Sequence, residues 1–220
     1  MPEDVVQETK KRFKTRYIVL LLITAGVALA LAMSNVYVSG EYRYRITIEV
    51  QTPEGIKTGA AVRAVTDHAS SIKVIDLPGV GGSRPKVRGE AVVVDLGEKG
   101  KLFGLIDWDS YREVYAAFPF SGAEKAGDGL RYYLNLKPGA FAPLPEKQWP
   151  KFVTFTDMDD PKSVKSVPHD NLESVFGKGY AIKNIIIKIT DEPITWGDIQ
   201  RYLNQRHAVG PYEFIRGEAK

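Results

Sequence analysis

The sequence predicts a mainly β, α+β protein. An N-terminal transmembrane helix leads into an antiparallel β-sandwich-like domain with one or two short helices and a C-terminal helix. Three observations carry this reading. Tyr17–Met33 runs seventeen residues without a charge, directly behind a cluster of cations. Tyr42–Gln51 alternates apolar and polar side chains without a break. Twenty glycines and thirteen prolines cut the remainder into short segments, which suits strands and turns better than long helices.

The N-terminal segment sets the organisation. Uncharged residues continue from Met33 through Gly40, and the first charge is Glu41. Seventeen to twenty-two helical residues span roughly 25–33 Å, enough for the hydrocarbon core of a bilayer. Lys10, Lys11, Arg12, Lys14 and Arg16 precede the run, whereas only Arg43 and Arg45 follow it closely. Cations stay on the cytoplasmic side. The expected division is therefore a cytoplasmic basic tail over 1–16, a transmembrane helix over 17–38 and an exported, periplasmic β-rich domain over 39–220. Tyr17 and Tyr37 stand at the two ends, where amphipathic rings favour the headgroups. A cleaved signal peptide is the rival reading, since Ala28-Leu29-Ala30 and Ala30-Leu31-Ala32 both fit a small-x-small cleavage site. The apolar run is longer than the usual signal core of about 7–15 residues, which favours an uncleaved anchor.

Within the domain, Tyr42, Tyr44, Ile46, Ile48 and Val50 fall on one face of a strand and Arg43, Arg45, Thr47, Glu49 and Gln51 on the other. Pro53-Glu54-Gly55 predicts a turn, with Ile56–Val65 returning as a hairpin partner weakened by Gly59, Ala60, Ala61 and Ala64. Leu77–Pro85 reads as a loop. Val87–Leu96 reads as a strand, with Gly97–Gly100 turning it into Lys101–Ile106. Asp109–Ala117 predicts a short helix capped by Asp109. Leu130–Leu136 is expected as a strand and Lys137–Trp149 as a crossing loop. Phe152–Phe155 is strand-like, and Asp170–Phe176 a helical turn closed by Gly177. The β-branched run Ala181–Thr190 predicts a strong strand. Thr195–Gln205 predicts a terminal helix with Thr195 as N-cap and Trp196, Ile199 and Leu203 on one face.

Composition excludes several classes. No cysteine occurs, so disulfide scaffolds, thiol nucleophiles, cysteine-ligated metals and lipoprotein modification are all ruled out. A net charge of +3, with its excess before the apolar run, points to membrane orientation and not to nucleic acid. Ser70-x-x-Lys73 and Lys57-Thr58-Gly59 match motifs of penicillin-binding proteins and serine β-lactamases, in which the lysine takes the serine proton. Their order along the chain is reversed here. His68 beside Asp67 has the composition of a base and its orienting carboxylate, although adjacent residues rarely face each other. Asp157, Asp159 and Asp160 offer oxygen ligands for Ca²⁺ or Mg²⁺, but the loop lacks the glycine and glutamate of an EF-hand and reads first as a solvated acidic turn, with Asp160 fixing the turn at Pro161. The remaining histidines, His169 and His207, stand in no metal-ligand spacing. The catalytic candidates are thus Ser70, Lys73, His68 and Asp67, and no cofactor is expected.

The strings YRYRITIEVQTPEGIKTG, RGEAVVVDLG, FVTFTDMDDPKSVKSV and IIIKITDEPIT resemble an uncharacterised group of bacterial envelope proteins with one N-terminal membrane segment and a β-rich exported domain. The resemblance covers residues 42–195 intermittently and carries over no catalytic residue. It implies a bacterial inner-membrane location. The expected function is a non-enzymatic binding or accessory module, with the membrane and another envelope component as partners. An envelope hydrolase and a solute- or lipid-binding domain are the alternatives.

Overall fold

Strict alternation builds one of the two longest strands among the described residues. In the computed structural model, which describes residues 16–29, 37–70, 85–122, 127–203, 208–209 and 211–217, Tyr42, Tyr44, Ile46, Ile48 and Val50 are all buried. They belong to β1 (Tyr37–Thr52), which pairs along its whole length with β2 (Gly55–Ser70), from Tyr37 opposite Ser70 to Thr52 opposite Gly55. Pro53 and Glu54 make the turn. Gly55 follows at φ +119°, a conformation that side-chain-bearing residues rarely adopt.

The other strands are β3 (Lys86–Glu90), β4 (Val92–Asp95), β5 (Lys101–Gly104), β6 (Phe141–Pro143), β7 (Phe152–Phe155), β8 (Val164–Val167), β9 (Ala181–Ile189), β10 (Ala208–Val209), β11 (Tyr212–Glu213) and β12 (Ile215–Arg216). They form a six-stranded sheet ordered β12-β3-β2-β1-β9-β6, a four-stranded sheet ordered β4-β5-β7-β8, and the small pair β10-β11. All the pairings described are antiparallel.

The two larger sheets pack face to face, with Ile46, Ile48, Ile185 and Ile187 of one meeting Val92, Val94, Leu102 and Phe152 of the other in a single core. Glycines at the sheet-to-sheet contact, Gly59 in β2 and Gly104 in β5, have a packing reason. A Cβ on Gly59 would lie 2.0 Å from the Val93 carbonyl oxygen, and one on Gly104 would lie 2.5 Å from Ile48 Cδ1. A second core, built from Phe103, Val153, Phe155, Ile199, Leu203 and Phe214, covers the opposite face of the four-stranded sheet with the C-terminal segment.

Several expectations are corrected. Val87–Leu96 is two strands in different sheets, because the chain bends at Gly89 (φ +137°) and hands over at Ala91, whose N–H bonds to the Phe214 carbonyl. Helices α2 (Tyr111–Ala117), α3 (Asp128–Leu134), α4 (Glu173–Phe176) and α5 (Gln200–Leu203) complete the domain. The expected strand at Leu130–Leu136 is therefore largely α3: Leu130 and Tyr133 are buried three apart, a helical spacing. Asp109 does not cap α2; that position falls to Ser110, whose hydroxyl takes the Asp107 N–H. Thr195 caps nothing. Its hydroxyl accepts from the Val62 N–H while its own N–H bonds the Val62 carbonyl, so the terminal helix begins later, at Gln200 of α5, and residues 204–205 lie outside the described residues.

Residues 16–29 form a helix, α1, with every residue exposed. Among the described residues no helix is long and apolar enough to cross a membrane. The far end of the helix expected over 17–38 is corrected, since Tyr37 and Val38 are extended and pair with Ser70 and Ala69. Residues 30–36, the tail over 1–15 and the loop at 77–84 lie outside the described residues.

Candidate functional site

The sequence places an arginine where the inner face of β2 calls for an apolar side chain. Ala61, Arg63 and Val65 share the parity that faces the core, and Arg63 is fully buried. Every N–H of its guanidinium has a partner. Nε donates to the Glu90 carbonyl at 3.1 Å, Nη1 to Glu113 Oε1 and Oε2 at 2.8 and 3.0 Å, and Nη2 to the Gly104 and Leu105 carbonyls at 3.3 and 3.1 Å. The Tyr44 hydroxyl, directly across the ladder, donates to Glu113 Oε2 at 2.8 Å. Burial pushes both the Glu113 carboxyl and the Tyr44 hydroxyl above their ordinary pKa ranges, and Arg63 opposes the rise in each. The cluster ties the middle of the hairpin to α2 and β5.

Glu90 is the second buried carboxylate. It accepts the Gly197, Asp198 and Ile199 N–H groups at 2.6, 3.0 and 3.1 Å. Three backbone donors satisfy its charge, and they fasten the segment after Thr195 to β3.

A different grouping lies at the Tyr37 end of the hairpin. Asp67, buried on the inner face of β2, accepts from the Tyr115 hydroxyl at 3.0 Å. Tyr115 stacks on Tyr133 at 4.3 Å between ring centroids and meets Tyr111 edge-on at 5.3 Å, while Tyr42 lies 6.1 Å from Tyr133. The Tyr42 hydroxyl is buried beside that of Tyr115 without a hydrogen bond of good geometry. Burial first, and the neighbouring Tyr115 hydroxyl second, push it well above the usual phenol range. The cluster joins β1, α2 and α3.

Surface clefts among the described residues include three. One of about 300 Å³ reaches Glu113 between Asp109, Arg112, Lys147 and Lys151. One of about 430 Å³ holds His169, whose Nε2 lies 3.4 Å from Glu146 Oε1 and whose ring meets Trp149. One of about 460 Å³ lies between β1 and residues 134–138, closed by Ile189–Asp191.

The sequence candidates scatter. Asp67 and His68 are consecutive strand residues and so point to opposite faces; the bond between them is from the His68 backbone N–H to Asp67 Oδ1, at 2.7 Å. Ser70 ends β2. Lys73 and His207 lie outside the described residues, as does the S-x-x-K spacing as a whole. Lys57-Thr58-Gly59 sits at the other end of β2, next to the turn. Asp157 and Asp160 are used within their own loop, Asp157 Oδ1 accepting the Asp159 N–H and Asp160 Oδ1 the Lys162 N–H. Among the described residues no group of three or more His, Asp or Glu could hold a metal ion. Arg63, Glu113 and Glu90 were not among the sequence candidates. The one signal for them is Arg63 itself, a charge at core parity inside Ala61–Val65.

No family model, curated protein or solved structure matches the chain.

Proposed function

We propose that this is a membrane-anchored bacterial envelope protein. Its N-terminus lies in the cytoplasm, and its β-rich domain serves in the periplasm as a non-enzymatic binding or accessory module. The observation that carries the anchor is α1. Its large apolar side chains are exposed all round, from Tyr17 at 64% through Leu21 at 68% to Leu29 at 62%. A helix apolar on nearly every side avoids water in a protein core or in lipid. Every residue of this one is exposed in the chain itself, so lipid is the reading we take. The uncharged sequence continues beyond it to Gly40, and five cations precede it.

Binding is favoured over hydrolysis by how the ionisable groups are used. Arg63, Glu113 and Glu90 are saturated by partners inside the fold. Asp67 is engaged by Tyr115 and by the His68 backbone. Glu113 does line a cleft, with the Ser110 hydroxyl beside it. That carboxylate is committed to Arg63 and Tyr44, however, and the Ser110 oxygen already accepts the Asp107 N–H. Neither is left free for the base-and-nucleophile pairing that acyl transfer needs.

An alkaline phosphatase fusion after Gly100 tests the topology, since that enzyme folds only outside the cytoplasm. The fusion should be active. An inactive fusion, with a cytoplasmic reporter active at the same position, would overturn the reading.

A further inference from the structure

We propose that the free edge of β1 over residues 37–41 accepts an extended polypeptide segment of another envelope protein, which adds to the six-stranded sheet as a strand. The proposal rests on reading the domain as a binding module. β1 pairs with β2 as far as Tyr37, but β9 pairs with β1 only from Tyr44 to Gln51. The last bond on that side runs from the Thr190 N–H to the Arg43 carbonyl. Because Arg43 turns its backbone groups toward β9, alternation turns those of Glu41 and Ser39 the same way. Among the described residues nothing pairs with them.

The vacancy has walls. Gly139 donates to the Ile189 carbonyl and Ile189 to the Ala140 carbonyl, so this part of the chain runs one strand beyond β9. Where β9 leaves after Thr190, the cleft of about 460 Å³ remains between Glu41–Arg43 and Leu134–Pro138. It occupies the line that β9 would follow if it continued. Strands sit about 4.8 Å from each neighbour, so the slot admits one extended chain and not a helix about 10 Å across.

The slot also states the guest's chemistry. Ile185, Ile187 and Ile189 set the inward parity of β9, and the same parity in the slot meets Tyr133 and Leu134. Inward guest side chains are therefore apolar. Outward ones lie among Glu41, Arg43, Lys137 and Asp191 and are polar. The occupant is thus a segment of alternating apolar and polar residues. A lipid chain would leave the Ser39 and Glu41 backbone groups unpaired. A second copy's β1 edge carries its own domain with it, and the wall at 134–138 keeps that out.

Photo-crosslinking in intact cells, with a benzophenone amino acid in place of Asp191 in the full chain, tests the proposal. The expected product is an adduct with a different polypeptide, crosslinked within a segment of alternating apolar and polar residues. Ser39→Pro removes an N–H that faces the vacant side and is not used by β2, so pairing with β2 should survive. It should lower the adduct about tenfold or more, the effect of a lost backbone bond plus a blocked edge. Lys137→Trp, which fills the slot from its opposite wall, should do the same, and it decides the matter if Ser39→Pro does not fold. No adduct, an adduct with lipid or a second copy of this chain, or one that survives Lys137→Trp and a folded Ser39→Pro would overturn strand addition. Failure here with an active phosphatase fusion removes the edge proposal alone. An inactive fusion removes the envelope reading on which it rests.

Discussion

Removing the Arg63 side chain tests the buried network most severely. Arg63→Ala leaves the Glu113 carboxylate in the core with hydroxyl donors, Tyr44 and Ser110, but no cation. It also strips a donor from the Glu90, Gly104 and Leu105 carbonyls. Breaking one partner of a buried ion pair costs about 3–5 kcal/mol, because the other charge stays uncompensated. That is a large share of the roughly 5–15 kcal/mol that holds a domain folded. For a domain of this size it corresponds to a fall in melting temperature of about 6–20 °C. Urea unfolding of the full chain in detergent, followed by tryptophan fluorescence, measures the loss. The double variant Arg63→Met with Glu113→Leu removes both charges together and should recover most of the stability, since apolar replacements of buried pairs are commonly near neutral. An Arg63→Ala variant within about 1 kcal/mol of wild type, the size of an ordinary hydrogen bond, would refute the reasoning. So would a double variant worse than the single one.

Other expectations follow from the same geometry. Ile46→Asp should unfold the domain, because it buries an unpaired charge, whereas Thr47→Asp on the outer face should be tolerated; the reverse outcome in a circular-dichroism melt would refute the register. Tyr42 and Tyr44 have pKa values raised by burial, so their contribution to stability is complete below the unfolded phenol value of about 10 and is lost as pH rises beyond it. The loss should be roughly 2.7 kcal/mol per pH unit for the two together, and the tyrosinate absorbance of these two, isolated by difference against the Tyr42→Phe and Tyr44→Phe variants, should rise in step with unfolding and not before it. Ser70→Ala, Lys73→Ala and His68→Ala should each leave the cellular role intact; a folded variant that behaves like a deletion would promote the hydrolase instead, because removing a nucleophile or its base costs several orders of magnitude in rate.

Where one force dominates, the sequence is legible. Tyr42–Gln51 and Ala181–Thr190 predict strands because each has a buried face or a buried run, and both appear as strands. Phe152–Phe155, the turn at Pro53-Glu54 and the helical turn ended by Gly177 are local events and read correctly for that reason. Leu130–Leu136 misleads because a seven-residue apolar–aromatic mixture fits either period, and tertiary contact with β1 selects the helix. Val87–Leu96 conceals its change of sheet because nothing in the residues announces which neighbour each half will meet. Gly59 looks like a weakness in β2 until Val93 is placed against it. The buried polar groups are the least legible part. Arg63 and Glu113 are fifty residues apart in the chain, and only the fold brings them together. Asp67 and His68, adjacent in sequence, are separated by the alternation of the strand that carries them.

An uncleaved N-terminal helix that holds the domain at a membrane, as proposed above, leaves a mark on the mature chain. Intact-mass measurement of the protein recovered from alkali-washed membranes tests it most directly. The expected product retains the residues of α1 and leaves the membrane only with detergent. A product beginning at Leu31 or Met33 and recovered in the soluble periplasmic fraction would contradict it.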